Sequence, residues 1–567
     1  MKICLVASRY LEGPLRELGH EVLLLSPPLD GAPFFDLPRA LAEARFAPEL
    51  VVHQENLSHR VLCTGLEEVA CPKIFWSLDT HLNAWWVTDY GRCFDGVLTT
   101  QPDWVGYLRA AGLSRVGVLS WFGARLPFSP HDGRDVPVAF VGRLSPARLP
   151  RTWMTGMLAA RFAARIESDI PVAEVLPLYC RTRVAPNESI LGEINIRLFE
   201  TASAGCCVVG QDLGGAQAAF FEPGREMLLY RDGLELAAVV ERLRNDPAQS
   251  ERLGRAAWAR VQAEHLPVHR AHGLLDFAKG LAAGGAATGE EARRAFWCAA
   301  ARLALAGRLP LRPAACEEPL ALLAAGPEPA GLLLRLLLAR EEHEGVTRLL
   351  AESLARGAHA GNVEFDLTAS TAALRLGEKG TARLFLMRHL EATGMQAEQG
   401  GHDRPHAHHH AHHHVPQHVP HDPPGLLKAW ARLLHGQGRT ATPGISFDPE
   451  RDVPASASEC LAWALSLDET DMESARLLDL WLEPVPGMEG LRLGWLSMLA
   501  LHERADWRHP LRLGLLNLRC FRLEEGIGEL AQARDLAAAA GRARLFAAAV
   551  AAADTTGAIR QALGLPG

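Results

Sequence analysis

The sequence predicts an α/β protein of two doubly wound units in tandem, followed by an all-α region. Three observations carry this. Short apolar runs alternate with helical spacings from the start of the chain to about residue 278. Beyond about residue 280 the strand-like runs stop and Ala/Leu-rich helical spacing takes over. The 567 residues also exceed what one core holds, since domains usually run about 100–200 residues.

The first unit, residues 1–130, begins with the strand KICLVAS and a helix in LEGPLRELGHE that places Leu11, Leu15 and Leu18 on one side. Strand EVLLLSP stops at Pro27-Pro28, helix LPRALAEARF follows, and ELVVHQE, PKIFWSLD and DGVLTT are further strands. Short buried runs alternating with helices mean a parallel sheet. The second unit, residues 131–278, opens with strand VPVAFVGR. A helix is expected at about 153–167, then a segment around 176–187, a helix at about 195–204, strands CCVVG and EMLLY, and helices through Phe277. In such sheets ligands bind outside the carboxyl ends of the strands.

GLAAGGAATGEEA reads as a linker. Residues 279–401 and 426–567 read as helical domains. Val346, Leu349, Leu350 and Leu354 follow the 3.6-residue period, and AALRLGEKGTARLFLMRHLEA reads as helix, tight turn, helix. These pieces suggest tetratricopeptide-like hairpins without a clean repeat period. Between them, residues 402–425 are expected to be a His/Pro-rich disordered linker. His402 to His421 holds ten of the 24 histidines, a composition that fits either metal capture or a solvated spacer.

The balance of 48% hydrophobic and 22% charged residues is that of a soluble globular protein. A formal net charge of −8 gives no electrostatic case for nucleic acid or an anionic membrane. The eleven cysteines show no C-x-x-C spacing, which fits a reducing compartment. The first apolar run is too short for a signal-peptide core, and no run reaches the length of a membrane span. A cytoplasmic protein without a transmembrane segment is expected.

Residues 185–230 carry the chemistry: APNESILGEINIRLFETASAGCCVVGQDLGGAQAAFFEPGREMLLY. A helix starting at Asn195 and stopping at Ala204-Gly205 fits ordinary cap chemistry. Arg197 and Glu200 then share a face. A carboxylate there can take both hydroxyls of a ribose, and an arginine beside it can hold a diphosphate. The helix N-terminus offers free N–H groups to phosphate.

LFETASAGCCVVG resembles the L-E-A-x-A-x-G-x-P-V-V element of GT-B glycosyltransferases. N-x-R-x-F-E, the following F-x-P-G-x-E and a downstream tyrosine look like the CgeB-like branch. VAFVGRLSPARL resembles that branch's opening of the second lobe. PKIFWSLDTHLN and YGRCFDGVLTTQPDWVGYLRAAG resemble its first-lobe section. The likeness covers about residues 1–275 and implies a GT-B fold of two Rossmann-like lobes. It implies transfer of a sugar from a nucleoside-diphosphate sugar to a hydroxyl acceptor. Many retaining members carry a second glutamate eight residues before the one matching Glu200. That place is Gly192 here, and the nearest carboxylate is Glu193.

On this resemblance the donor side comprises Gly142, Arg143, Arg148, Tyr179, Asn187, Asn195, Arg197 and Glu200. Asn195 serves equally as a helix cap, and Gly142 as a turn glycine. Asp79 and His81 follow a first-lobe strand and are the catalytic candidates, one of them a general base on the acceptor hydroxyl. The alternative is that Asp79 caps the next helix and His81 is an exposed turn residue. His53 and Glu55 are weaker candidates, and Trp85, Trp86 and Trp121 either stack on a sugar or belong to the core. No Asp-x-Asp occurs, so no metal and no cofactor are expected, with helix N-termini and basic side chains stabilising the leaving diphosphate. The helical region is expected to recruit a macromolecular acceptor, such as a protein or a cell-surface glycan, by fold-level analogy. Two other readings stay open: a sugar-nucleotide epimerase of the same fold, and a non-catalytic nucleotide-sugar-binding or protein-interaction scaffold.

Overall fold

The computed structural model describes all residues except 8, 28–30, 57–59, 146–147, 282–284, 395–418, 443 and 566–567. Most of the His/Pro-rich segment expected as a linker therefore lies outside the described residues.

The apolar runs become two parallel sheets. In the first lobe the order along the chain is β1 (Lys2–Val6), α1 (Glu12–Glu17), β2 (Glu21–Leu25), β3 (Phe34–Asp36), α2 (Leu37–Glu43), β4 (Leu50–Gln54), β5 (Leu62–Thr64), β6 (Lys73–Ser77), α3 (Thr80–Tyr90), β7 (Gly96–Thr99), α4 (Trp104–Ala110) and β8 (Val116–Val118). The six-stranded sheet has the order β2-β1-β4-β6-β7-β8, and β3 pairs with β5 in a separate ribbon. All pairings are parallel. Every residue of β4, β6 and β7 is buried, as a sheet covered on both faces requires.

The second lobe comprises β9 (Val136–Val141), α5 (Leu149–Phe162), β10 (Arg165–Glu167), α6 (Val172–Cys180), β11 (Thr182–Asn187), α7 (Ile196–Ser203), β12 (Cys207–Gln211), β13 (Met227–Tyr230), α8 (Gly233–Asn245), α9 (Pro247–Glu264) and α10 (Pro267–Lys279). Its five strands run β10-β9-β11-β12-β13, again all parallel. The helix expected at 153–167 lies earlier. Pro150 at its N-terminal turn starts α5 at Leu149, and Ala163 in the left-handed conformation ends it, leaving Arg165–Glu167 as the edge strand. The segment expected at 176–187 resolves into α6 and β11.

The chain then returns to the first lobe. Phe277 of α10 packs against Gly96 and Gly117. The Gly/Ala linker is pinned there too, since Asp95 Oδ1 accepts from the amides of Gly285 and Ala286 at 2.9 and 3.1 Å.

The helical arm follows: α11 (Gly289–Leu305), α12 (Glu317–Leu322), α13 (Pro327–Ala339), α14 (His343–Arg356), α15 (Val363–Arg375), α16 (Lys379–Thr393), α17 (Pro423–Gly436), α18 (Ala457–Leu467), α19 (Met472–Leu482), α20 (Glu489–His502), α21 (Arg508–Arg519), α22 (Leu523–Ala539), α23 (Ala543–Ala553) and α24 (Ala558–Ala562). One apolar core runs from Cys298 to Leu482. The two helical domains expected on either side of 402–425 therefore share a core, and helix begins at Pro423. Trp430 Nε1 donates to Ser370 Oγ across that divide at 2.9 Å.

The arm starts on one lobe and finishes on the other. Arg302 of α11 pairs with Asp89 of α3 and with Glu364 of α15, both at 2.7 Å. At the far end Phe521 packs on Tyr230, Arg522 lies over Trp153 at 5.2 Å, and Thr555 Oγ1 donates to Glu235 at 3.0 Å. Among the described residues no helix is long and apolar enough to cross a membrane.

Candidate active site

The second sheet reverses its strand order between β9 and β11, and a ligand crevice opens at such a switch point. Arg197, in the first turn of α7, is drawn into it. Its Nε donates to Val141 O at 2.7 Å, and Nη1 to Asn187 Oδ1 at 3.0 Å and Glu188 O at 3.3 Å. The guanidinium lies 4.2 Å from the centre of the Phe140 ring. Gly142 makes room for it, because a β-carbon there would stand 2.6 Å from Nη2. Arg151 and Glu188 form a buried pair beside it at 2.6 Å.

Asn195 caps α7, its Oδ1 accepting from Leu198 N at 3.3 Å, while Nδ2 donates to Glu188 O at 3.2 Å. Its side chain is thus occupied by the cap. Glu200 is half-buried on the next turn, and among the described residues its carboxylate has no hydrogen bond or ion pair. Burial raises its pKa while Arg197 lowers it. Tyr10 of the first lobe is close enough that Glu200, after burial, raises the phenol's pKa. Glu200 therefore faces the cleft.

Tyr179 is placed otherwise than the resemblance implies. It is fully buried, and its hydroxyl accepts from Val141 N at 3.2 Å, so it supports the end of β9 from beneath. Arg143 is exposed, 3.8 Å from Asp169. Arg148 is half-buried at the start of α5, and its guanidinium has no hydrogen bond or ion pair among the described residues. Its charge is felt by Asp79.

On the first lobe the turn from β6 into α3 is organised by Glu55. Its Oε2 accepts from Ser77 Oγ at 3.0 Å, Leu78 N at 2.8 Å and Asp79 N at 3.2 Å, and its Oε1 from Asn83 Nδ2 at 2.6 Å. Asp79 occupies the position preceding α3, yet its side chain makes no capping bond. Burial, then the carboxylates of Glu55 and Glu193, push its pKa up to about 7. His81 is buried rather than exposed, and its Nδ1 has no partner among the described residues. Burial lowers its pKa against the opposing pull of Glu193.

Glu193 reaches this group from the second lobe. Its Oε2 accepts from Ser189 Oγ at 2.7 Å, Ile190 N at 2.9 Å and Leu191 N at 2.8 Å. Burial raises its pKa, but His81 and these donors outweigh that and keep it low. The lobes are also joined by Gln101, which exchanges two hydrogen bonds with the backbone of Ile194 at 3.1 and 2.8 Å. The cleft thus brings together Asp79, His81, Arg148, Glu193, Arg197 and Glu200.

His53 is buried, its pKa pushed down to about 3 by burial, and its Nδ1 is 3.2 Å from the Tyr90 hydroxyl. Trp86 and Trp121 belong to the core, with Trp85 packed against it. Sequence reasoning missed Gln101 and Arg60, whose Nη2 donates to Asn83 Oδ1 at 2.8 Å and whose charge bears on Asp79. No local pattern marks either. Among the described residues one Glu/Asp/His cluster has metal-ligand spacing, Glu503, Asp506 and His509, on the arm. Its carboxylates already pair with Arg476 and Arg508.

No curated protein matches the chain. Solved structures similar to it include sucrose-phosphate synthase from Thermosynechococcus elongatus, at 15% identity over 49% of this chain and 98% of that one, with a TM-score of 0.35. TarM aligns at 10% identity over 41% of this chain and 55% of its own, with a TM-score of 0.30. The pneumococcal O-GlcNAc transferase GtfA aligns at 11% identity over 43% and 59%, with a TM-score of 0.28. The chain spans little more than half the length of the latter two. Residues 130–276 match the family model described as glycosyl transferase-like. The second lobe thus carries a glycosyl transferase-like domain.

Proposed function

We propose that the chain is a GT-B glycosyltransferase of the CgeB-like kind, moving a sugar from a nucleoside-diphosphate donor to a hydroxyl acceptor. The observation that carries this is Glu200, a half-buried carboxylate without a hydrogen bond or ion pair among the described residues. It stands one turn from Arg197 at the switch point of a glycosyl transferase-like domain. Glu200 takes the ribose hydroxyls. Arg148 and the N-terminal amides of α7 meet the diphosphate, where fixed positive charge lowers the barrier to its departure.

Asp79 accepts the proton of the acceptor hydroxyl as its oxygen bonds to the anomeric carbon and the bond from that carbon to the diphosphate breaks. A carboxylate with a pKa near 7 suits this task, strong enough to take a proton yet ionised in useful amount. His81 and Glu193 flank the sugar. The chemistry needs no metal in this scheme. The arm, read as tetratricopeptide-like, presents a macromolecular acceptor, a role that rests on analogy with helical-repeat surfaces.

The test is thermal stabilisation of the full chain by a panel of nucleoside diphosphates and their sugars. A ligand at about 100 times its Kd adds roughly 2.7 kcal/mol. One nucleotide family is expected to raise the melting temperature, and Glu200→Ala to lose most of that rise while keeping the ligand-free melting temperature. No rise with any nucleotide in the folded wild-type protein would sink the proposal.

A further inference from the structure

We propose that the helical arm sets the positions of Glu193 and His81 against the donor sugar, so that the sugar subsite is incomplete without it. This rests on the nucleotide-sugar reading of the cleft.

Glu193 is oriented by the segment just before it, through Ser189 Oγ and the amides of Ile190 and Leu191. That segment is backed by the α19–α20 turn of the arm. Gly487 stands there with φ +81°, and a β-carbon on it would run into the Leu191 side chain and come within 3.0 Å of Ile190 O. Pro486 lies beside Gly192 on the other side of Leu191, its Cγ 3.0 Å from where a β-carbon on Gly192 would be. The arm's backbone is therefore in van der Waals contact with the peptide units that hold the carboxylate.

The same thing happens on the first lobe. Gly444, with φ +83°, lies on the backbone of Leu82, where a β-carbon would collide with the carbonyl oxygen. Leu82 directly follows His81 in the first turn of α3. One stretch of the arm thus presses on the neighbour of His81 and another on the cradle of Glu193. Both contacts are made at glycines in the left-handed region, where other residues are strained. No contact described for Arg197, Asn187 or Glu200 involves the arm. The arm accordingly touches the sugar end of the cleft directly and meets the nucleotide end at one remove, where Phe521 packs on Tyr230, whose hydroxyl donates to Asn187 O.

These two ends separate in a titration. Calorimetry on the full chain would compare the nucleoside diphosphate selected by the stabilisation panel with its sugar conjugate. Gly487→Ala and Gly444→Ala are expected to bind the diphosphate as the wild type does. The extra affinity that the sugar supplies should fall about tenfold, the scale of one lost charged hydrogen bond. Adding Leu191→Ala to Gly487→Ala removes the obstructing side chain and should restore the sugar's contribution, while unchanged diphosphate binding in the single variant separates a displaced subsite from a damaged fold.

Pro486→Ala offers the same test without a strained backbone, with a smaller loss in the same direction. Sugar discrimination unchanged in the glycine variants and in Pro486→Ala, while Glu193→Gln loses it, would overturn the proposal. So would an equal loss for both ligands. A wild type that binds neither ligand would instead overturn the nucleotide-sugar reading beneath it.

Discussion

Asp79→Asn is expected to reduce sugar transfer by about 10²–10⁴-fold, the usual contribution of a positioned general base, and at the same time to stabilise the protein above pH 7. The second effect follows from the environment that makes the first possible. Burial and two neighbouring carboxylates, Glu55 and Glu193, hold the Asp79 pKa up at about 7. A carboxyl whose folded pKa is raised binds its proton more tightly in the folded state. The stability this gives is complete below the unfolded pKa near 4 and is lost as pH climbs through 7. Asparagine carries no charge to desolvate and escapes that loss. At ~1.4 kcal/mol for each tenfold, the gain at pH 8 is bounded at about 4 kcal/mol. Melting temperatures of the two proteins measured from pH 4 to 8 should converge at the acid end and separate with rising pH. A separation that does not change with pH would contradict the assignment of Asp79 as the group under strain. The activity of the wild type should rise along an ionisation near pH 7.

Glu55→Ala is expected to be the most destabilising single change in the first lobe, by about 3–5 kcal/mol, as when one partner of a buried charged network is deleted. Four donors lose their acceptor at once: the hydroxyl of Ser77, the amides of Leu78 and Asp79, and the side chain of Asn83. Ser77, Leu78 and Asn83 are buried, so three of these donors have no water to turn to, and only the Asp79 amide lies at a half-buried residue. The same turn carries Asp79, so activity should fall with stability. Loss of the Glu55 charge should also move the activity limb to lower pH, since Glu55 is the second cause of the raised Asp79 pKa. Urea titration of the two proteins gives the first quantity and a pH profile of the variant the second. A loss below 1 kcal/mol would mean that the turn holds itself without Glu55.

Much of this architecture was legible because a parallel sheet covered on both faces needs continuous apolar strands. β1, β4, β6, β9 and β12 each show one. The strands that did not show are the short or interrupted ones. β3, β5, β8 and β10 have three residues each, too few for a pattern. β11 is central yet carries Pro186, a residue that argues against a central strand because it cannot donate to the ladder. In the site, α7 was readable from Asn195 and Gly205, which fix its ends by cap chemistry. Glu193 was visible only as a carboxylate out of register with Gly192. Its meeting with Asp79, His81 and Arg148 depends on the closing of one lobe upon the other, which no local pattern encodes. The path of the arm was illegible for the same reason. Periodicity in α13 or α21 says that a face is buried, but not against what.

The connectivity of the lobes constrains how they move. Chain passes between them three times: after β8, from α9 into α10, and by way of the whole arm from α11 to α24. Two crossings that lie side by side define an axle about which rigid bodies turn freely. A third, anchored at Arg302 on one body and at Phe521 and Thr555 on the other, lies in parallel with that axle and closes a mechanical circuit. Any swing that widens the cleft must then be taken up within the circuit, by small sliding steps shared among helices packed in series. Opening becomes an elastic deformation spread along the arm instead of free rotation at a hinge. The stiffness of that helical stack, and not the length of a linker, governs how far the cleft gapes to admit a ligand.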